Sequence, residues 1–301
     1  MFMRIMEPFT GTEDKKMKKL IALLLAVCCA TGCMMLVACG NDNTDNTTGG
    51  KTFTVATNTP FSPFEYIGTD GLAYGIDMEI AAGFAASKGY TLVIRDIDFK
   101  SILANVTGGY ADIGMAGMTI SEDRLKTNDF TDTYYTASQK LIVLATDTAF
   151  DACTDAASVE AVLKTLSESD VLAFQNGTTG NWYVEGDADW EFDGFANATA
   201  KGYDSAQQAV MDMVNGNVRG VVVDDAPAAM LAAAQNGKVK VIDIPLTSEE
   251  YAFALKKGNT TLQAEFNAYL ASIKADGTLD AIIAKYFGGE GTKVGYAVAD
   301  N

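Results

Sequence analysis

The chain has 301 residues, of which 48% are hydrophobic and 20% charged, so it can bury a full core and fold unaided. Its 22 lysines and arginines against 39 aspartates and glutamates give a formal net charge of −17, which argues against nucleic acid or anionic lipid as a partner because like charges repel. The chain contains no histidine, which removes the usual general base of serine and cysteine hydrolases and the most common zinc ligand. We therefore expect neither a metal nor a cofactor.

The N-terminus has the layout of an export signal. Basic residues at 15, 16, 18 and 19 precede an apolar run from residue 20 to residue 39, and the start is hypothesised to be Met17. The run ends Leu36-Val37-Ala38-Cys39, which is similar to the lipobox of bacterial lipoproteins, where the cysteine is acylated and the chain is cut before it. We predict a signal peptide over 1–39 and a lipid on Cys39 that anchors the protein to the outer face of the cell membrane. An uncleaved membrane helix is the alternative, because about 20 apolar residues can span a bilayer.

The cysteines and the segment after the signal are consistent with this layout. Cys28, Cys29 and Cys33 lie in the segment to be removed, so only Cys153 would remain as a free thiol and no internal disulfide is expected. Residues 40–50 contain no apolar side chain and are rich in turn formers. They predict a flexible tether between the anchor and the folded domain.

From residue 51 onward, strand and helix patterns alternate. Strands are predicted over 52–57, 91–95 and 112–115, with helices over 75–88 and 101–107 between them. This order predicts a parallel sheet with right-handed crossovers.

Strand and helix patterns alternate again after residue 140, which predicts a second α/β lobe. We expect a first lobe of residues 51–140 plus 246–301 and a second lobe of residues 141–245, with crossings near 136–140 and 245–251. The later predicted segments are strands over 141–145, 171–174, 220–223, 239–244 and 251–255, and helices over 158–166, 205–214, 226–235, 262–274 and 279–286.

Short motifs follow one another along residues 52–288. They are Pro63-Phe64-Glu65, Gly75-Ile76-Asp77, Asp112-Ile113-Gly114, Gly117-Met118-Thr119-Ile120, Arg124, Asp129-Phe130-Thr131, Gln175-Asn176-Gly177-Thr178-Thr179-Gly180, Asp225-Ala226-Pro227, Gly277-Thr278-Leu279 and Lys285-Tyr286-Phe287-Gly288. In order and spacing this set resembles family 3 solute-binding proteins, the amino acid receptors of ABC importers. The resemblance implies a two-lobed periplasmic-binding-protein-like fold of type II, with two parallel-rich sheets flanked by helices and a two-crossing hinge. It also implies a monomer without enzymatic activity, a membrane permease as partner, and a free amino acid as ligand.

A free amino acid requires a cation for its carboxylate, an anion for its ammonium group and apolar walls that exclude water. Arg124 stands one helical turn after the loop that contains Gly117 and Thr119, so its planar guanidinium can make two hydrogen bonds to a carboxylate. The resemblance implies that Arg124 binds the ligand carboxylate. The alternative is a surface arginine that pairs with Glu122 or Asp123.

Two further segments supply polar groups for the ligand's charged ends. Thr178 and Thr179 follow a buried strand and open a predicted helix, where free backbone N–H groups attract an anion; a plain helix cap at Thr178 is the alternative. Asp225 comes just after the strand over 220–223, and the resemblance implies that it binds the ammonium group. We expect its neighbour Asp224 to face solvent instead.

The remaining candidate residues concern the ligand side chain. Phe61 and Phe99 match family positions whose rings contact the ligand, although an isolated Phe belongs more often to a core. Asn58 occupies a position where many relatives carry Asp, which weakens any preference for a basic ligand. Gln175 is neutral and is expected near the cleft mouth. Together these residues predict a ligand with an uncharged polar side chain.

Two other functions are compatible with the same fold. A ligand-binding sensor domain has the same lobes, but the chain ends soon after the closing helix, which disfavours it. A cyclohexadienyl or arogenate dehydratase-like enzyme is the second, and it needs an acid or base over the reacting carbon. Asp224 and Glu65 stay open as candidates for that role.

Overall fold

The structure is a computed structural model, and it describes residues 50–299. The predicted signal peptide, the lipidated Cys39 and the tether up to residue 49 lie outside these residues. Within residues 50–299, no helix combines the length and the apolar character that a membrane crossing requires.

The described chain alternates between strands and helices. In chain order these are β1 (Thr52–Thr57), β2 (Tyr66–Ile67), β3 (Ala73–Tyr74), α1 (Ile76–Lys88), β4 (Thr91–Asp96), a 3₁₀ turn (Phe99–Ser101), α2 (Ile102–Gly108), β5 (Ile113–Gly114), α3 (Glu122–Thr127), β6 (Asn128–Phe130), β7 (Tyr135–Ala137), β8 (Gln139–Leu144), α4 (Ala156–Leu163), β9 (Val171–Gln175), α5 (Thr179–Glu185), β10 (Thr199–Tyr203), α6 (Ala206–Val214), β11 (Gly220–Asp224), α7 (Asp225–Ala234), β12 (Val239–Ile242), β13 (Glu249–Tyr251), β14 (Ala254–Lys256), α8 (Thr260–Ala275) and α9 (Thr278–Tyr286).

The first large sheet has the strand order β4-β1-β5-β14-β6. β1 runs parallel to β4 and β5, while β14 runs antiparallel to both β5 and β6, so four strands share one direction and β14 opposes them. Aromatic rings bring α1 and α8 together beside this sheet. The Phe84 ring lies 4.9 Å from Phe53 and 4.5 Å from Phe266 between ring centroids. Such ring pairs add to the stabilisation that burial of their apolar area already provides.

The second large sheet has the strand order β10-β9-β11-β8-β12. β9 runs parallel to β10 and β11, and β8 is the reversed strand. Successive residues of β11 pack into different cores: Val221 and Val223 join one apolar cluster and Val222 joins another. Helices therefore cover both faces, as expected for a sheet rich in parallel strands.

The chain passes between the two large sheets twice. β7 carries it from the first sheet to the second and β13 carries it back, and these two strands pair antiparallel with Tyr251 opposite Tyr135. The predicted two-lobed α/β fold with two crossings is confirmed. The single strand predicted over 251–255 is wrong in its extent, because Tyr251 pairs with β7 whereas Ala254 pairs with Gly114 and Phe130 in the first sheet.

Candidate binding cleft

A cavity lies between the two lobes at the carboxyl ends of three strands. Asn58 follows β1, Gln175 ends β9 and Asp224 ends β11, and all three line the cavity. The free volume of this cavity is about 10 Å³, which is room for about one water molecule. An amino acid is far larger than one water molecule, so it cannot enter unless the lobes separate.

Nine of the ten ligand-binding residues predicted from the sequence line this cavity, and Asp225 does not. Glu65, Ala116 and Asp224 line it as well. The part played by each residue in binding stays a prediction, but the structure brings the predicted set together from both lobes.

Arg124 points into the cleft because of the way α3 begins. The hydroxyl of Ser121 accepts a hydrogen bond from the Arg124 amide at 3.2 Å, which caps the helix and sets Arg124 in its first turn. The guanidinium donates to the carbonyl oxygen of Thr119 and, across the cleft, to that of Gly177 at 2.9 Å. With 5% of its surface exposed, Arg124 is a buried cation and not a surface partner of its acidic neighbours.

Aromatic rings flank the guanidinium of Arg124. Its central carbon lies 5.5 Å from the Phe99 ring centre and 4.8 Å from the Trp182 ring centre, within the range of cation–π attraction. Burial lowers the pKa of Arg124 to about 10, although the negative charges of Glu249 and Asp224 act to raise it. The side chain is thus positively charged at neutral pH.

Of the two neighbouring aspartates, Asp224 lines the cavity and Asp225 does not. β11 extends through Asp224, so this residue stays at the strand's carboxyl edge, is 5% exposed and accepts a hydrogen bond from the Tyr251 hydroxyl at 2.6 Å. Asp225 is the first residue of α7; its amide donates to the Ser138 carbonyl at 2.8 Å and its carboxylate accepts from the Ser138 hydroxyl at 3.2 Å. The expectation of a solvent-facing Asp224 is wrong, because the strand ends one residue later than predicted.

Asp224 is also electrostatically unusual. Burial and the nearby Glu249 carboxylate together raise its pKa to about 7, although the hydrogen bond from Tyr251 acts in the opposite direction. A cation beside Asp224 would favour its ionised form. This carboxyl group is therefore suited to change protonation state when a charged ligand arrives.

The start of α5 brings two hydroxyl groups to the opposite wall. Thr178 caps the helix by accepting a hydrogen bond from the Asn181 amide at 3.4 Å and also donates to the Gln175 carbonyl at 2.8 Å. Thr178 therefore acts as the helix cap that the sequence offered as the alternative to ligand binding. Thr179 is 2% exposed and its hydroxyl has no hydrogen-bond partner, which is costly for a buried polar group. This hydroxyl is free to bond to a ligand.

Neutral amides and aromatic rings form the rest of the wall. The Gln175 amide donates to the Asn58 side-chain oxygen at 2.8 Å across the two lobes, and Asn58 donates to the Ile97 carbonyl at 2.8 Å. Gly117 has φ of 51°, and a Cβ atom there would lie 2.6 Å from the Phe61 ring. Only glycine fits this position without strain.

Two buried acidic residues, Glu65 in the cavity wall and its neighbour Asp77, were not assigned to ligand binding from the sequence. Glu65 is fully buried, and burial together with the neighbouring Asp77 carboxylate holds its pKa well above the usual range. Burial raises the pKa of Asp77 to about 7, although it accepts hydrogen bonds from the Tyr134 hydroxyl at 2.6 Å and the Gly117 amide at 3.1 Å. The sequence signal for Glu65 was an acidic residue directly after the apolar Phe64. An acidic side chain is hard to bury without a function.

Glu249 was missed altogether. It lies in β13, is 2% exposed, and accepts hydrogen bonds from the hydroxyls of Thr119 at 2.7 Å and Thr247 at 2.6 Å. It therefore ties the hinge strand to the loop that carries Thr119. No local sequence pattern marks this contact, because the two residues are 130 positions apart.

The sequence also matches a described protein family over most of its length. Residues 53–289 match the model of the bacterial extracellular solute-binding proteins, family 3. The chain belongs to this family. Its fold and its cleft agree with that assignment, since ligands of open α/β sheets bind at the carboxyl ends of the strands.

Individual relatives of this family 3 protein resemble it over most of their length. A probable histidine-binding protein of Neisseria gonorrhoeae is 29% identical over 91% of this chain and 97% of its own. Among solved structures, an ancestral arginine-binding protein bound to glutamine has a TM-score of 0.68 and 29% identity, covering 79% of this chain and 98% of its own. An ancestral amino acid-binding protein, AncCDT-1, described as a precursor of cyclohexadienyl dehydratase, has a TM-score of 0.68 and 28% identity, covering 78% of this chain and 95% of its own.

Proposed function

We propose that this solute-binding protein captures a free amino acid outside the cytoplasm and delivers it to the membrane permease of an ABC importer. The observation that carries the proposal is that a buried cation, Arg124, and a buried acid, Asp224, line one closed cavity from different lobes. These two groups match the carboxylate and the ammonium group of a zwitterion. The relatives named above, described as binding histidine, arginine, glutamine or amino acids in general, support the same ligand class.

In the proposed complex, Arg124 turns its two N–H groups from backbone carbonyls to the ligand carboxylate. The free hydroxyl of Thr179 donates a further hydrogen bond to that carboxylate, while Asp224 accepts from the ammonium group. Charge-assisted hydrogen bonds of this kind are roughly twice as strong as neutral ones, and exclusion of water strengthens them further.

The ligand side chain is proposed to be polar and uncharged. Asn58 and Gln175 contribute neutral amides to the wall, and burial together with the Asp77 carboxylate raises the pKa of Glu65, the acid beside them. A basic side chain would need a carboxylate partner in this wall, and burial and the Asp77 carboxylate disfavour the ionised form of Glu65. Glutamine is accordingly expected to bind more tightly than arginine, lysine or histidine.

Binding is proposed to close the two lobes about the β7–β13 pair, with residues 51–140 plus 246–301 moving as one body and residues 141–245 as the other. The very small free space in the cleft supports this, because the closed form cannot admit an amino acid. Small-angle scattering with and without saturating amino acid tests it. A radius of gyration that does not decrease would contradict a closing clamp.

The protein is proposed to be a binding protein without catalytic activity. The likeness to a precursor of cyclohexadienyl dehydratase, and the buried Glu65 in the cleft, whose pKa is raised by burial, favour a dehydratase as the second candidate. Incubation with prephenate or arogenate decides between them. Product formation that disappears in Glu65→Gln would establish the enzyme.

We further propose that the protein is a monomer anchored through a lipid on Cys39, with the segment up to residue 50 as a tether. The Leu36-Val37-Ala38-Cys39 motif supports this. Cys39→Ala should move the protein from the membrane fraction to the soluble extracytoplasmic fraction. Intact-mass analysis that finds a different, unlipidated N-terminus in the wild-type protein would contradict the anchor.

A thermal-shift screen against the twenty protein amino acids and cystine tests the central proposal. A ligand at one hundred times its dissociation constant stabilises the folded state by about 2.7 kcal/mol, which raises the melting temperature of a domain of this size by roughly 5–10 °C. An uncharged polar amino acid should give the largest shift. The absence of a shift with every amino acid would refute the proposed ligand class.

A further inference from the structure

A short aromatic hairpin stands at the mouth of the cleft, outside the cavity already described. After α5 the chain reverses direction between Asp187 and Phe192, whose amides each donate to the other's carbonyl at 2.9 Å. The Trp190 ring in this hairpin stacks on Phe192 at 5.7 Å and on Trp182 of α5 at 6.2 Å between centroids. The hairpin therefore holds the Trp182 ring in place.

Two contacts join this part of the second lobe to the first lobe. The Trp182 ring lies 4.8 Å from the central guanidinium carbon of Arg124 in α3. The Lys126 ammonium, two residues further along α3, lies 3.7 Å from the Asp189 carboxylate of the hairpin. Both contacts cross the mouth of the cleft, so separation of the lobes must break them.

We propose that Trp182, supported by Trp190, is a ligand-retaining residue that holds the cleft closed and slows the release of the bound amino acid. The proposal rests on the proposed function, because it assumes that Arg124 binds the carboxylate. The Trp182 ring packs on Arg124 and is half-buried, so it keeps water from the guanidinium while the cleft is closed. Opening of the cleft would expose the Arg124 guanidinium to water before the ligand can leave.

Lys126 contributes less than Trp182. Its side chain is 63% exposed and it also pairs with Asp123 of its own helix at 3.2 Å. Exposed ion pairs contribute little because water and salt screen them. The ring contact with Arg124 is partly desolvated and is accordingly the stronger of the two.

The test measures ligand dissociation from the mature protein. The protein is loaded with an equimolar mixture of the twenty protein L-amino acids and L-cystine, all labelled with ¹⁴C, desalted, and then diluted into unlabelled mixture. Trp182→Ala should shorten the half-life of retained label about 5- to 30-fold, Trp182→Phe by an intermediate factor, and Lys126→Ala by about 2- to 3-fold. The association rate should change less than the dissociation rate in each variant, which a general loss of folded structure would not produce.

Tyr110→Ala is the matched control, because Tyr110 is an exposed aromatic residue of the first lobe, 68% exposed and outside the cavity lining. The bound amino acid should dissociate from Tyr110→Ala at the same rate as from the wild type. Equal half-lives in the wild type, Trp182→Ala and Lys126→Ala would overturn the retaining role while leaving the proposed function intact. A wild-type protein that retains no label would instead overturn the proposed function and the retaining role with it.

Discussion

The two charged ends of the cleft are held in different ways. Arg124 contacts the Gly177 carbonyl and the Trp182 ring, both of which belong to the opposite lobe. Asp224 is held by the Tyr251 hydroxyl, which belongs to β13 at the crossing between the lobes. Thr119 and Phe99 of its own lobe also contact Arg124, so the surroundings of the cation depend on closure in part, whereas the acid is anchored at the pivot.

The largest expected effect comes from the cationic end. Arg124→Ala should weaken amino acid binding by roughly 30-fold to several-thousand-fold, because loss of one partner of a buried charge contact costs about 2–5 kcal/mol. Isothermal titration calorimetry measures the change. Arg95→Ala is the control, since Arg95 is an exposed arginine of β4 and its loss should leave affinity unchanged. Wild-type affinity in a folded Arg124→Ala protein would show that the site is misassigned.

The next effect separates the two adjacent aspartates. Asp224→Asn should weaken binding by at least roughly 30-fold, because it removes the charge that faces the ammonium group. Asp225→Asn should change affinity by no more than a few-fold, since Asp225 is bonded to Ser138 outside the cavity. An N-acetylated analogue of the bound amino acid should fail with either protein. If Asp225→Asn proved the more damaging change, the family position inferred from the sequence would be right and the cleft geometry misleading.

A smaller effect concerns pH. The pKa of Asp224 is raised to about 7, so at pH 6 most molecules hold a protonated Asp224 that must ionise before it can accept from an ammonium group. Affinity should therefore increase as pH rises from 6 to 8, by up to about tenfold per unit below the pKa. Binding at pH 7 should release protons, which calorimetry detects as a dependence of the heat on the buffer. Asp224→Asn should abolish that dependence.

The smallest effect is on the stability of the ligand-free protein. Burial raises the pKa of Asp77 from 3.8 to about 7, so the folded state keeps a proton that the unfolded state has lost between these values. The contribution of Asp77 to the free energy of unfolding is fully present below about pH 4 and is lost as pH rises through about 7. The urea midpoint should thus be lower at pH 8 than at pH 5, and Asp77→Asn should reduce the difference. If the urea midpoint changed equally with pH in the wild type and in Asp77→Asn, the pKa of Asp77 would be its ordinary one.

Patterned segments of the fold could be predicted from the sequence, while segments that depend on their neighbours could not. β1 was predicted with its observed bounds and α1 within one residue, because both carry regular apolar periodicity. β10 was missed, since four of its five residues are exposed and only pairing with β9 makes it a strand. Tertiary contact, which a local pattern does not encode, decides such edge strands.

The candidate site shows the same limit at the scale of single residues. Ordered motifs led to Arg124 and Thr178, whose neighbours in the chain determine their place at a helix start. The choice between Asp224 and Asp225 depended on whether β11 ends one residue earlier or later, and strand ends are poorly marked in sequence. Trp182 and Glu249 contact residues of a distant segment, so nothing nearby in the chain indicates them.

The place of β14 in the first sheet has a consequence for biosynthesis. β14 lies between β5 and β6, yet β6 ends at Phe130 and β14 begins only at Ala254, after the whole second lobe. A nascent chain that has emerged as far as the second lobe still lacks the strand that joins the two parts of the first sheet. The edge of β5, where Ile113 lies opposite Leu255, stays unpaired until then. The first lobe to be synthesised is thus the last to be completed.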